Sequence, residues 1–247
     1  MTVVAVAGGT GVVGRATVEA LRSTGHEARV LSRSTGVDLV TGAGLAEALV
    51  GVEAVVDTAN KTTMGARPAI DFFAAATGNL LGASAAAGVR HAVVLSIVGI
   101  DRVPHDYYAG KVAQEAVVQA SHLPWTILRA AQFHEFALQM LDRSRFGGVQ
   151  FPPKGRVQPV AAAVVGERLA ELALGEAQGR ATDLAGPREE SLEEMVRAVA
   201  RDEGRRGWIP PMSLPTGMMR GLALGDVLPG EDADLRGPTF DEWLAAR

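Results

Sequence analysis

Apolar and polar positions follow a repeated two-part rhythm through the first half of the chain. Short apolar runs, of the kind that fill a sheet buried on both faces, stand at residues 3–7, 27–31, 37–40, 54–57, 91–95 and 125–129. Between them, apolar residues recur at three- and four-residue steps and predict helices from the end of the glycine turn to residue 21 and over 45–49, 68–87 and 105–121. In the longest of these Ala76, Asn79, Leu80 and Ala83 fall on one face, and its alanine runs suit a crossover packed tightly on a sheet. Strand and helix in alternation predict right-handed crossovers and a doubly wound parallel α/β sheet.

From about residue 131 the rhythm loosens. A helix is expected over 133–142, then the turn-rich Gly147-Gly148 and Phe151-Pro152-Pro153, a helix over 164–174, and an edge strand at Ala181-Thr182-Asp183-Leu184. Ser191 and Glu194 have the spacing of a capping box at a helix start. Residues 210–237, rich in Pro, Gly and Met, read as a lid or mobile cover, and 240–246 as a closing helix. The expected organisation is therefore a nucleotide-type domain over 1–130, with 157–185 returning to it, and a small discontinuous substrate-side module over 131–156 and 186–247.

The sharpest motif interrupts the rhythm at its start. The run Val3-Val4-Ala5-Val6-Ala7 breaks into Gly8-Gly9-Thr10-Gly11-Val12-Val13-Gly14 and leads into a helix. Glycine at 8, 11 and 14 allows a tight turn, close approach of a pyrophosphate, and close packing of helix on strand. The phosphates would rest on the free N–H groups of residues 10–14, Thr10, Val12 and Val13 included, at the positive end of that helix. At the end of the second strand an acid would accept from the ribose 2′-OH of NAD, but the chain has Ser32-Arg33-Ser34. Arg33, with the Ser32 and Ser34 hydroxyls and Arg15, suits the 2′-phosphate of NADP, whereas the bland alternative is a solvated loop arginine.

Further chemistry falls at strand exits, where open parallel sheets bind ligands. Thr58 and Asn60 follow the fourth apolar run, as hydrogen-bonding partners for cofactor or substrate or as an ordinary polar loop start. Ser96 follows the fifth. In the next helix Tyr107 and Lys111 are one turn apart on a shared face. An ammonium beside a phenol favours the phenolate and can also hold the nicotinamide ribose. The tyrosine would then protonate a carbonyl oxygen as hydride reaches its carbon, with Ser96 donating to the same oxygen. The bland alternative is a partly buried tyrosine pair, Tyr107 with Tyr108, beside a snorkelling lysine.

Composition narrows the choices. A chain of 247 residues with 47% hydrophobic residues and 29 glycines suits one large α/β domain with an appendage. A net charge of −4 and a pI near 5.8 argue against a large nucleic-acid footprint. The absence of cysteine removes disulfides, thiolate metal ligands and a cysteine nucleophile. Five scattered histidines, among them the isolated His134-Glu135, offer no metal-ligand spacing, and no Gly-x-Ser-x-Gly elbow supports a hydrolase. Met212, Met218 and Met219 read as flexible packing or the lining of an apolar cover. Neither a secretory signal nor an apolar run long enough for a membrane span is seen, so the expectation is a cytoplasmic protein with a small-molecule substrate, as monomer or homodimer.

Taken together, Gly-Gly-Thr-Gly at 8–11, Ser-Ile-Val-Gly-Ile-Asp at 96–101, Tyr-Tyr-x-x-Lys at 107–111 and Thr-Ile-Leu-Arg at 126–129 resemble an atypical short-chain dehydrogenase/reductase of the NmrA-like NAD(P)H-binding group. The likeness extends through Ala185-Gly186-Pro187 to Phe240-Asp241-Glu242-Trp243-Leu244. It implies a Rossmann-type fold with NADP(H) as cofactor, NAD being the other candidate. It also implies Gly8, Gly11 and Gly14 at the pyrophosphate, Arg33 at the 2′-phosphate, and Tyr107 with Lys111 in catalysis. The group holds reductases of quinones, dyes and phenylpropanoid-type compounds, is similar in fold to the epimerases, and includes redox sensors that bind dinucleotide without turnover. Reductase, sensor and epimerase using retained NAD therefore stand as the three readings, the reductase first. Two positions depart from the group's pattern: Ala130 where proline is usual after Leu128-Arg129, and Val164-Val165 where an Asp-Val pair is common.

Overall fold

The computed structural model describes residues 1–143, 145–146, 149–205, 208–213 and 216–247. The chain begins with β1 (Val3–Ala7), α1 (Val12–Ser23) and β2 (Glu27–Leu31), and continues through the short α2 (Leu45–Ala48) to β3 (Ala54–Asp57). Then come α3 (Ala66–Ala86), β4 (His91–Ile97), α4 (Tyr107–Gln119) and β5 (Trp125–Ala130). The second half carries α5 (Glu135–Arg143), β6 (Arg145–Phe146), β7 (Val149–Gln150), β8 (Arg156–Val157), α6 (Ala162–Leu174), β9 (Gly179–Arg180), β10 (Leu184–Ala185) and β11 (Glu190–Ser191). It ends with α7 (Leu192–Asp202), α8 (Gly217–Leu224), β12 (Asp234–Leu235) and α9 (Phe240–Ala245).

The chain divides into two compact units. The first holds residues 1–96, 106–129 and 163–182. Its strands run in the order β2-β1-β3-β4-β5, with β9 also beside β5, and the pairings β1–β2, β1–β3, β3–β4 and β5–β9 are parallel. This is the expected Rossmann-type sheet. The order reverses between β1 and β3, so right-handed crossovers send successive helices to opposite faces and leave a crevice at the strand ends there. β1 and β3 are almost wholly buried, as apolar runs covered on both faces must be. Small residues set the helix spacings. A Cβ on Gly166 of α6 would stand 2.6 Å from Ala16 of α1, and one on Gly110 of α4 would stand 2.6 Å from the Cβ of Ala69 in α3.

The strand expected at 37–40 does not form. Asp38 accepts the N–H groups of Val40 and Thr41 on Oδ1, and Asn79 Nδ2 donates to the carbonyls of Leu39 and Val40. Side chains thus satisfy the backbone groups that a ladder would have used.

The second unit holds residues 97–105, 130–162 and 183–247, so 97–105 groups with the later segments and not with the expected first domain. Arg102 donates to the carbonyls of Asp226 and Leu228, both at 2.6 Å, and fixes that grouping. Leu184 pairs with Ala130 and β10 with β12, in parallel. The edge strand expected at 181–184 is therefore two short pieces, β9 and β10, separated by Ala181-Thr182-Asp183. The segment at 210–237, expected as an irregular cover, contains α8, capped by Thr216. Its Gly217 and Gly221 leave room for His105 and Val103, which is why a helix is hidden in a glycine-rich stretch. Ser191 does cap α7 by accepting from the Glu194 N–H, but the Glu194 carboxylate pairs with Arg197 instead of closing the box. Thr239 and Glu242 form a complete box at α9. The Gly147-Gly148 turn lies outside the described residues.

Candidate active site

At the end of β1 the chain turns at Gly8, whose φ of +72° favours glycine, and the N–H of Gly11 donates to Gly8 O at 2.8 Å. A Cβ on Gly8 would lie 2.8 Å from Thr58 O, and one on Gly14 would lie 2.2 Å from Gly8 O. The turn is thus closed by contacts that only glycine allows. Gly11 is the N-cap of α1, without a side-chain cap. Among the described residues the N–H groups of Thr10, Val12, Val13 and Gly14 have no partner within the chain. Four donors at the positive end of a helix, with Val12 exposed beside them, fit a pyrophosphate. Arg15, exposed, donates to Thr10 O at 2.9 Å and braces the turn.

Beyond β2 the chain enters a single 3-10 turn, Arg33–Thr35, begun by Ser32. The Ser32 and Ser34 hydroxyls lie 2.8 Å apart, and Thr35 Oγ1 accepts from Ser32 N, so the hydroxyls face one another across the turn. Arg33 is exposed, and among the described residues it has no ion-pair partner. No carboxylate stands in that turn, so it offers positive charge and hydroxyls to an anion.

At the exit of β3, Thr58 donates its hydroxyl to Ala7 O at 2.7 Å and ties the ends of β1 and β3 together, keeping its oxygen lone pairs as acceptors. Asn60 is exposed, and its Oδ1 accepts from the Tyr107 hydroxyl at 2.8 Å. The sequence named both residues without foreseeing that they meet.

Tyr107 opens α4 directly after Asp106, the one described non-glycine residue with positive φ, +53°. Such a backbone costs about 1–3 kcal/mol and occurs where a particular side-chain direction is held. The Tyr107 ring stands edge-on to Phe73 at 5.7 Å. Of the two neighbouring tyrosines, Tyr108 is buried and Tyr107 is partly open. Burial, and secondarily Tyr108, push the Tyr107 phenol above its usual pKa. The phenol therefore stays protonated through the neutral range, as a proton donor must.

Lys111 is buried, and its ammonium donates to Leu95 O at 2.6 Å and to Gln114 Oε1 while lying 4.6 Å from the centre of the Phe73 ring. Burial lowers its pKa to about 8, opposed by the Asp57 and Glu115 carboxylates. Ser96, 1% exposed at the end of β4, has an enclosed Oγ with no partner among the described residues. A buried hydroxyl with an unspent donor is uncommon.

Sequence reading missed the polar cluster underneath. Asp57 Oδ1 accepts from Ala59 N at 2.9 Å, and its Oδ2 accepts from Thr77 Oγ1 at 2.7 Å and Gln114 Nε2 at 3.0 Å. Close by in the chain, Glu115 and Arg129 form a buried two-point ion pair at 2.7 and 2.6 Å. The available signal was an acid ending an otherwise apolar strand, Ala54-Val55-Val56-Asp57. Among the described residues no acid, histidine and cysteine cluster could hold a metal ion, and no helix is long and apolar enough to cross a membrane.

Known proteins share the family and the fold. A family model described as NAD(P)H-binding matches residues 8–140, from the glycine turn through α4 to α5. The chain is 31% identical over 218 residues to (4-alkanoyl-5-oxo-2,5-dihydrofuran-3-yl)methyl phosphate reductase of Streptomyces griseus, a match that covers 81% of this chain and 73% of that one. The NADPH complex of the NADPH-dependent quinone oxidoreductase QOR2 of Escherichia coli superposes with a TM-score of 0.74 at 20% identity, over 98% of this chain and 99% of that one. The triphenylmethane reductase of Citrobacter, complexed with NADP(H), gives 0.73 at 16% identity, over 100% and 99%.

Proposed function

The chain belongs to the NAD(P)H-binding family, and from that premise we propose that it is an NADPH-dependent reductase of a small apolar or aromatic carbonyl or quinone-like acceptor. The observation that carries the proposal is the Tyr107 hydroxyl, held on Asn60 in the same unit as a glycine turn with four unspent N–H groups. The cofactor supplies a hydride to the electrophilic carbon of the acceptor. The electron pair of the C=O bond then moves to oxygen, and Tyr107 donates its proton there, leaving a phenolate that solvent reprotonates. The Ser96 hydroxyl, unspent in the fold, is the second donor to that oxygen. The donors of residues 10–14 hold the pyrophosphate, and the turn of Ser32, Arg33 and Ser34 holds the 2′-phosphate. The named activity of one solved structure, a quinone oxidoreductase, supports this acceptor class, and the curated relative, which reduces a phosphate ester of an oxo-dihydrofuran, supports reduction of a small molecule.

The test follows NADPH absorbance while quinones, aldehydes, enones and dyes are offered in turn. At least one class is reduced, and Tyr107→Phe lowers kcat by roughly 10²–10⁴-fold with NADPH affinity unchanged. No oxidation across the panel, with tight NADPH binding intact, would favour a sensor. Unaltered kcat in Tyr107→Phe would remove the tyrosine from the chemistry. Cofactor choice has its own measure: Arg33→Ala weakens NADPH binding by roughly 10- to 100-fold, the worth of a charge-assisted contact, and leaves NADH binding in place. An unchanged ratio of the two affinities makes Arg33 a solvated loop residue.

A further inference from the structure

We propose that Lys61 selects the acceptor: its ammonium binds an anionic substituent, such as a carboxylate or sulfonate, on an aromatic compound whose carbonyl meets Tyr107. The proposal rests on the reductase reading for the chemistry at Tyr107, and adds to that reading a charge on the acceptor.

Every residue that places Lys61 lies in the first unit. Lys61 follows Asn60 directly on the exit of β3, and Asn60 Oδ1 accepts from the Tyr107 hydroxyl at 2.8 Å. The loop that holds the reacting hydroxyl thus carries an ammonium on its next residue. A row of rings runs between the same two groups. Phe72 stands edge-on to Phe73 at 5.2 Å, and Phe73 stands edge-on to Tyr107 at 5.7 Å. Lys61 Nζ lies 5.9 Å from the centre of the Phe72 ring, so the phenol is at one end of the row and the ammonium at the other. The flexible four-carbon stem lets that ammonium swing from Phe72 toward a group held at Tyr107.

The charge on Lys61 is unspent. The residue is exposed, and among the described residues no carboxylate pairs with it. Residues 58–70 contain no acid. Of the acids that flank them, Asp57 is buried on Thr77 and Gln114, and Asp71 is held by Arg67 at 2.9 Å. What the ammonium has instead is a ring, and a cation facing a ring at an exposed site is bound more weakly than one hydrogen-bonded to an anion. An arriving carboxylate therefore draws it off Phe72. The phosphates of the dinucleotide have their own places in the proposed site, on residues 10–14 after β1 and on the turn of Ser32, Arg33 and Ser34 after β2. The anion left for Lys61, on the exit of β3 beside Asn60, belongs to the acceptor.

The test offers the acceptor class found in the panel above as a pair that differs in one charge, such as benzaldehyde and 4-carboxybenzaldehyde, or anthraquinone and its 2-sulfonate. The parent should favour the anionic member. In Lys61→Gln the ratio of kcat/KM for the anionic member to that for the plain one should fall about 10-fold, through KM, the scale of a charge-assisted contact partly screened by water. Lys61→Arg should keep the ratio within about threefold of the parent. Sodium chloride at about 0.5 M should lower the ratio in the parent and leave that of Lys61→Gln in place. An equal ratio in parent and Lys61→Gln overturns the proposal, as does an equal fall in Lys61→Gln and Lys61→Arg. Calorimetric titration with NADPH should give the same affinity for parent and Lys61→Gln within about threefold, whereas a loss of tenfold or more assigns the ammonium to a cofactor phosphate and overturns the proposal. If the parent reduces no acceptor, the reductase reading fails, and calorimetry on the NADP+-loaded protein with 2-naphthoate and 2-naphthamide still decides the role of Lys61. Binding of the naphthoate alone should weaken about 10-fold in Lys61→Gln; equal affinities in parent and variant, or no naphthoate binding by the parent, overturn it.

Discussion

Gly14→Ala is expected to lower NADPH affinity by at least about 100-fold, measured by titration of nicotinamide fluorescence. The added Cβ would lie 2.2 Å from Gly8 O, 2.7 Å from the Cα of Gly9 and 2.8 Å from the Gly8 carbonyl carbon, all backbone atoms that cannot rotate aside. The turn must open, and opening it displaces the N–H groups of Thr10, Val12 and Val13 together. Losing two charge-assisted hydrogen bonds, each worth about 1.5–3 kcal/mol, already accounts for a factor of a hundred or more. Overpacking of this kind adds a stability loss of about 1–3 kcal/mol, readable in urea. Gly82→Ala is the control: nothing lies within 4 Å of its Cβ on α3, so affinity and fold should both survive. Equal affinity for the parent and Gly14→Ala would mean that the dinucleotide does not sit on this turn.

The second large effect lies in the buried ion pair. Glu115→Ala leaves Arg129, 4% exposed, without the carboxylate that meets both its Nε and Nη2. Breaking a buried pair from one side costs about 3–5 kcal/mol, because the remaining charge stays out of water. At about 2–4 °C per kcal/mol for a chain of this size, the thermal midpoint should fall by roughly 10 °C. The paired replacement Glu115→Leu with Arg129→Met removes both charges, and it should recover most of the loss. A single variant as stable as the parent would show that the guanidinium is satisfied by its other contacts alone.

The strand, glycine turn and helix that open the first unit were legible because their signals are local. A glycine turn between an apolar strand and a helix has its meaning within about a dozen residues, and the missing acid after β2 needs no tertiary knowledge. What escaped depends on partners far along the chain. Asn79 reaches back to the carbonyls of Leu39 and Val40, and that contact removes a strand that the apolar pattern at 37–40 predicts. Gly217 and Gly221 read as loop residues until His105 and Val103 are found against them, when they become the small face of α8. Lys111 is the plainest case. Its spacing from Tyr107 is visible in the sequence, but the direction of its ammonium is set by Leu95 and Gln114, which that spacing does not name.

Gly110 gives the proposed site its tolerance. Where α4 crosses α3 a single hydrogen atom serves as the spacer, and nothing larger fits before Ala69. The two helices therefore lie in close contact, with Phe73 from one and Tyr107 from the other meeting ring edge to ring face. A side chain at position 110 would push α4 off α3 and carry Tyr107 away from Phe73.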